Sequence, residues 1–325
     1  MATVVRLPSD SRPNRKVVDQ PSERRTPQWP LSIPEHRTQT PHAAHPGGSP
    51  ACSGGVIVIL SEFMKSTHLR PWQSLLLGLA LVAAGCVTEP VTGRKQFMVT
   101  GAGQEVALGL SAFESLKKET PISKNATQKA LLEKVGRRIA AVADLPNAQW
   151  EFVLFDSPEA NAFCLPGGKV GVYTGILGIT QDEAGLATVI GHEVAHAVAR
   201  HGGERMSMAK GIELAGILGG TAMSQSQYGP YFQQLYAPVS QVGVALPHSR
   251  MQESSADEIG LMLMARAGYD PKHAVGFWQR FSTHNQAAGG QTPWFLRTHP
   301  LDQQRIAKIQ QLLPKAQAEF RPANP

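Results

Sequence analysis

Apolar positions three and four apart mark the helices of this chain. In "ATQKALLEKVGRRIAAVAD", Leu131, Leu132, Val135, Ile139 and Val142 share one face, and Asn125 stands where an N-cap belongs. A helix over 104–118 precedes it. "EFVLF" and "KVGVYTG" read as strands, with "PGG" as a turn between them. The second strand puts Val170, Val172 and Thr174 on one side. Thr180 and Glu183 form a T-x-x-E capping box that opens the next helix, which runs through "AGLATVIGHEVAHAVARH" to Gly202–Gly203. That helix is apolar on most faces, so it is expected to be buried. Further helices are predicted from Gln241 or Ser249 to Ala267, from Asp270–Pro271 onward, and from His299–Pro300 to a stop at Pro314. The fold class is α+β, mainly helical, with a small sheet and no internal repeat.

The buried helix carries the chemistry. Residues four apart on a helix differ by about 40° and face the same way. His192 and His196 therefore point together, and their ring nitrogens can converge on one ion at about 2.0–2.1 Å. Glu193 sits beside His192, within reach of a water at that ion. H-E-x-x-H on a helix is a zinc-peptidase signature. His201 lies five residues past His196, about 140° around a continuing helix, and is set aside as a partner of the helix C-terminus. A third ligand must come from elsewhere. In "SRMQESSADEIGLMLMARAGYD", Glu253 and Asp257 share a face, while Ala256, Ile259, Met262 and Leu263 give the helix a buried side. Glu253 is the preferred ligand, as in His₂Glu sites; Glu204 and Glu213 follow the Gly-Gly pair too closely to fold back easily. A solvated acidic first turn is the alternative reading of "ESSADE".

Composition narrows the partners. The formal charge is +6, but from residue 86 onward 22 basic groups face 20 acidic ones. Without a basic stripe there is no reason to expect nucleic acid. Residues 1–63 hold 9 of the 24 prolines and lack periodicity, which marks them as a disordered, mis-assigned upstream extension. "MKSTHLRPWQSLLLGLALVAAGC" then has a basic start, a short apolar run and small residues before Cys86, the layout of a signal peptide over 64–85. "VAAGC" resembles a bacterial lipobox, which implies a lipid on Cys86, a tether over 86–100 and a lipid-anchored periplasmic protein at the outer membrane. Cys164 is then a small buried apolar residue rather than a nucleophile.

"HEVAHAVARH", "ESSAD" and "NAFCLPGG" together resemble family 48 of the metallopeptidases. This is the gluzincin family of the HtpX, CAAX-prenyl and BepA/LoiP-type proteases, and the lipoprotein branch fits best. The resemblance runs from Val91 to Ile306. It implies a gluzincin core with a small mixed sheet beside the HExxH helix, over residues 101–314, followed by a tail over 315–325. It implies one zinc ion per chain on His192, His196 and Glu253, with Glu193 as general base. Asp257 would orient a ligand histidine or donate a proton, and His299 in "RTHPL" would approach the zinc or the oxyanion. His299 or Arg250 would stabilise that oxyanion, and strand 169–174 would be the sheet edge that pairs with an extended substrate. The substrates implied are unfolded or misassembled envelope proteins. The alternative is a zinc-stabilised chaperone or assembly factor with little proteolysis. "SQSQYGPYFQQ" is a candidate lid by composition.

Overall fold

The computed structural model describes residues 85–89, 91–223, 226–227, 229–287, 294–300 and 303–322, all within the compact unit Leu69–Pro325. The expected extension over 1–63 and nearly all of the leader over 64–85 lie outside the described residues, as does part of the candidate lid. Among the described residues no helix is long and apolar enough to cross a membrane.

The described chain opens with a hairpin, β1 (Cys86–Thr88) and β2 (Lys95–Phe97), paired antiparallel with Val87 opposite Gln96. Two helices follow, α1 (Ala102–Glu119) and α2 (Ala126–Ala140). Asn125 caps α2 as expected, its Oδ1 accepting from the Gln128 amide at 3.0 Å. Then come β3 (Glu151–Phe155), β4 (Ala162–Leu165) and β5 (Lys169–Tyr173). They form a mixed sheet in the order β3-β5-β4, with β3 parallel and β4 antiparallel to β5. The strand expected at the edge is therefore the central one, and β4 is the edge that lies against the HExxH helix. Gly171 in β5 is required by this packing: a Cβ there would sit 2.2 Å from the Phe163 ring.

The rest is helical: α3 (Thr174–Thr180), α4 (Glu183–Val198), α5 (His201–Met223), α6 (Gly229–Ser240), a π-helical turn (Gln241–Ala245), α7 (Leu246–Arg266), α8 (His273–Ala287), α9 (Trp294–Thr298) and α10 (Gln303–Glu319). The core forms where α4 meets α7, with α2 and α8 packed on α4 and α10 packed on α7. Leu186, Val189, Ile190 and Val194 of α4 are completely buried. Each contributes roughly 1.5–3 kcal/mol of apolar burial, before the entropy of ordering the chain is charged against it.

Several expected boundaries move. Thr180 ends α3 rather than capping α4. The cap is Asp182, whose Oδ1 accepts from the Gly185 amide at 2.7 Å. α4 stops at Val198, before the glycine pair, because Arg200 takes a left-handed φ of 55°. That conformation costs a non-glycine residue roughly 1–2 kcal/mol. It is held by the Arg200 guanidinium on Glu105 at 2.6 Å and by Gln96 donating to the Ala199 carbonyl at 2.8 Å. Gly202 and Gly203 lie inside α5. α10 runs through Pro314 to Glu319, so the first part of the expected tail is helical. The expected tether is instead the β1–β2 hairpin, with Glu89, Gln96 and Met98 buried.

Candidate metal centre

α4 presents His192 and His196 to one side, and α7 crosses close enough to bring Glu253 to them. The closeness comes from two glycines. A Cβ on Gly191 would lie 2.9 Å from the Gly260 carbonyl oxygen, and one on Gly260 would lie 3.0 Å from the His192 backbone. With no side chain between the helices, His192 Nε2 stands 3.3 Å from Glu253 Oε2, and His196 Nε2 stands 3.4 Å from Glu253 Oε1. The two Nε2 atoms are 3.1 Å apart.

These separations suit a cation. Ligands held at about 2.0–2.1 Å around a tetrahedral ion lie roughly 3.3 Å from one another. The contacts above, with one carboxylate oxygen facing each imidazole, are of that size. His299, just past α9, places Nδ1 3.2 Å from His192 Nε2 and 3.1 Å from Glu253. Among the described residues, His192, His196, Glu253 and His299 form the one group of His, Cys, Asp and Glu side chains able to hold a metal, and all four are buried. The donor set of imidazoles and one carboxylate suits zinc.

A second layer of contacts fixes the first. Asp257, one turn beyond Glu253 on α7, sets Oδ1 3.1 Å from His192 Nδ1. Arg305 from α10 grips Asp257 with two hydrogen bonds of 2.7 and 2.8 Å. It also reaches Glu253 at 3.1 Å, and its guanidinium lies 4.1 Å above the Trp278 ring. Glu193 is buried, with Oε1 3.3 Å from His299 Nε2. That oxygen has no hydrogen-bond partner within the protein.

The electrostatics are those of a centre built around positive charge. Burial works against ionised Glu253, but His299, His196 and His192 hold its carboxyl well below the usual range. Burial likewise opposes ionised Asp257, and the Arg305 charge holds it down. Burial also disfavours charge on His192, yet hydrogen bonds to Asp257 and Glu253 lift it to about 9. His196, by contrast, is pushed well down by burial. Glu193 is pushed up by burial, which makes it a stronger base than an ordinary carboxylate.

The structure thus brings together His192, Glu193, His196, Glu253, Asp257 and His299. It separates others. Arg250 is exposed on α7, and the cation at the centre is Arg305. Glu204 lies buried in a different cluster, with Arg94 at 2.6 Å and His248 at 2.9 Å. His201 is fully buried and packed against His196, not offered to a helix C-terminus. Arg305 and Trp278 were not legible beforehand. An arginine in an amphipathic helix gives no periodic signal, and only its place just after "RTHPL" hinted at the site. Cys164 is partly covered on β4, and burial followed by the Glu193 charge pushes its thiol far up, which fits a packing residue.

Two histidines one helical turn apart, an acid between them and a carboxylate from a second helix define a metallopeptidase. The chain belongs to peptidase family M48, whose family model matches residues 126–313, and it is a zinc metalloendopeptidase. It is 33% identical to the mitochondrial metalloendopeptidase OMA1 of Schizosaccharomyces pombe, over 71% of this chain and 67% of that protein. The OMA1 protein of Saccharomyces cerevisiae is 32% identical, over 73% of this chain and 74% of its own. The β-barrel assembly-enhancing protease of Escherichia coli is 25% identical, over 68% of this chain and 46% of its own.

These relatives overturn one expectation. A lipid-anchored protein of the bacterial periplasm does not agree with relatives at 32–33% identity that are named mitochondrial, while the β-barrel assembly-enhancing protease matches less closely. The physical reason lies in the leader. A basic start and a short apolar run are shared by several targeting segments and do not by themselves fix the compartment.

Proposed function

We propose that this chain cleaves unfolded or misassembled proteins as part of protein quality control, with one zinc ion held by His192, His196 and Glu253. The observation that carries the reading is the convergence of ligand atoms from two helices: the two Nε2 atoms stand 3.1 Å apart, and each faces one oxygen of the Glu253 carboxylate, at 3.3 and 3.4 Å. Bound there, zinc supplies Lewis acidity toward the attacking water and the scissile carbonyl.

The chain's own groups do the rest. Glu193, pushed up by burial, takes the proton from the attacking water and passes it to the leaving amine. Asp257, gripped by Arg305, places its carboxylate 3.1 Å from His192 Nδ1, which favours the proton on that nitrogen and leaves the Nε2 lone pair turned inward. His299 lies between Glu193 and Glu253, at 3.3 and 3.1 Å from their carboxylates, and is the donor we assign to the scissile carbonyl oxygen. β4, as the sheet edge beside α4, is the strand with which an extended substrate would pair. Backbone pairing reads extended shape more than sequence, which favours unfolded chains.

The test compares wild type with Glu193→Gln for zinc content and for digestion of denatured casein, with and without chelator. Wild type binds one zinc and cleaves; the variant keeps its zinc and does not cleave. Cleavage by the variant at the wild-type rate would refute the mechanism. A zinc-loaded wild type that suppresses aggregation of casein without cutting it would favour the chaperone.

A further inference from the structure

His201 is five residues past His196 and would face away from it on a continuous helix. The break at Arg200, with its φ of 55°, turns the chain so that the His201 ring comes back. Its Nδ1 lies 2.9 Å from His196 Nδ1, and the residue is completely buried. On its other side, His201 Nε2 is 4.0 Å from Glu89 Oε2. That nitrogen has no hydrogen-bond partner, although it is buried. Glu89 closes the β1–β2 hairpin. Its amide donates to the Arg94 carbonyl at 2.8 Å, and its carbonyl accepts from Gly93 at 3.0 Å. Its carboxylate is fixed from two directions, by Ser255 of α7 at 2.7 and 2.9 Å and by Arg94 at 3.2 Å.

We propose that Glu89 and His201 are positioning residues for the metal centre, joined in one line that ends on His196. The protons decide the direction of this line. To ligate through Nε2, His196 must keep its lone pair there and carry its proton on Nδ1. That Nδ1–H then donates to His201 Nδ1, which must accept. The His201 proton is therefore on Nε2, turned toward the Glu89 carboxylate. Each group has one role open to it, and reversing any one would turn an N–H of His196 toward the cation. The two ligand histidines are thus oriented from opposite sides. Asp257 acts on His192 from α7, and Glu89 acts on His196 through His201 from the first hairpin. An outer partner of this kind holds ring orientation and raises the basicity of the ligand.

This inference rests on His196 being a zinc ligand, and the experiment separates the two ideas. Zinc affinity is measured by competition with a chelating dye for the full chain, for His201→Phe, for Glu89→Gln and for the double variant. Cobalt-substituted forms give the visible spectrum of the centre, and melting of the metal-free forms checks folding. His201→Phe should weaken zinc binding about 10–100-fold and shift the cobalt bands. Glu89→Gln should lose less, in the same direction. The double variant should match His201→Phe, because Glu89 acts through His201. Zinc affinity within twofold of wild type and an unchanged cobalt spectrum in His201→Phe would overturn the proposal. So would losses that multiply in the double variant. Should His201→Phe fail to fold, Glu89→Gln decides alone, and wild-type affinity and spectrum in it overturn the proposal. A His196→Ala chain that binds zinc as tightly as wild type overturns the ligand assignment itself and this inference with it.

Discussion

Gly191 of α4 and Gly260 of α7 face each other at the helix crossing, so close that a Cβ on the first would meet the carbonyl oxygen of the second at 2.9 Å. Neither backbone can retreat without moving ligands, since His192 follows Gly191 directly and Glu253 and Asp257 lie on α7. Gly260→Ala should therefore damage the site before it damages the fold. Overpacking of this kind costs about 1–3 kcal/mol. The variant should keep its helical circular dichroism, melt earlier and bind zinc more weakly. Wild-type zinc affinity in Gly260→Ala would show that the crossing tolerates a methyl group.

Arg305 touches Asp257, Glu253 and the Trp278 ring. Removing one partner of a buried ion pair leaves the other charge uncompensated, at about 3–5 kcal/mol. Arg305→Met should lower stability to denaturant by that order and weaken zinc binding. Arg305→Lys should recover little, because a single ammonium cannot reproduce the two-pronged grip on Asp257. Full recovery by lysine would mean that only the charge matters.

Glu204 offers a pH signature away from the metal. Burial works against its ionisation, but hydrogen bonds from His248, Arg94 and Gln252 outweigh it and hold the carboxyl at about 2, against an ordinary 4.5. A depressed carboxylate stabilises the fold above its unfolded value, and that contribution is lost as pH falls through the folded one. Glu204→Gln should therefore melt below wild type at neutral pH. The gap should narrow as pH falls from 4.5 toward 2. A gap independent of pH over that window would assign the loss to packing.

Cys164 tests whether the reactive chemistry is confined to the metal centre. With its thiol pushed up by burial and by Glu193, it should stay unalkylated by iodoacetamide at pH 8 until denaturant is added. Cys164→Ala should cleave casein at close to the wild-type rate. Loss of cleavage with zinc retained would give the thiol a part in the reaction.

What the sequence revealed and what it hid divide along a physical line. His192 with His196, and Glu253 with Asp257, are pairs four apart, so helix geometry alone puts each pair on one face. Their meeting was legible because each helix also had an apolar side that needed burial. Contacts between distant segments left no such trace. Arg305 reaches Asp257, and Ser255 reaches Glu89, across stretches where no period links the two ends. Local rules also misled where packing overrode them. Gly202–Gly203 looked like a helix stop, yet the break came earlier, at Arg200, where Glu105 and Gln96 hold the turn. Pro314 looked like an end, yet α10 continues through it. The sheet order is a pairing across sequence, so the alternation in β5 could not tell a central strand from an edge.

The guanidinium of α10 is among the last described residues to be made, and it grips the carboxylate that steers His192. A chain still emerging from the ribosome has its HExxH helix long before it has this clamp. A fragment that stops before α10 therefore carries both ligand histidines and Glu253 but lacks the grip on Asp257.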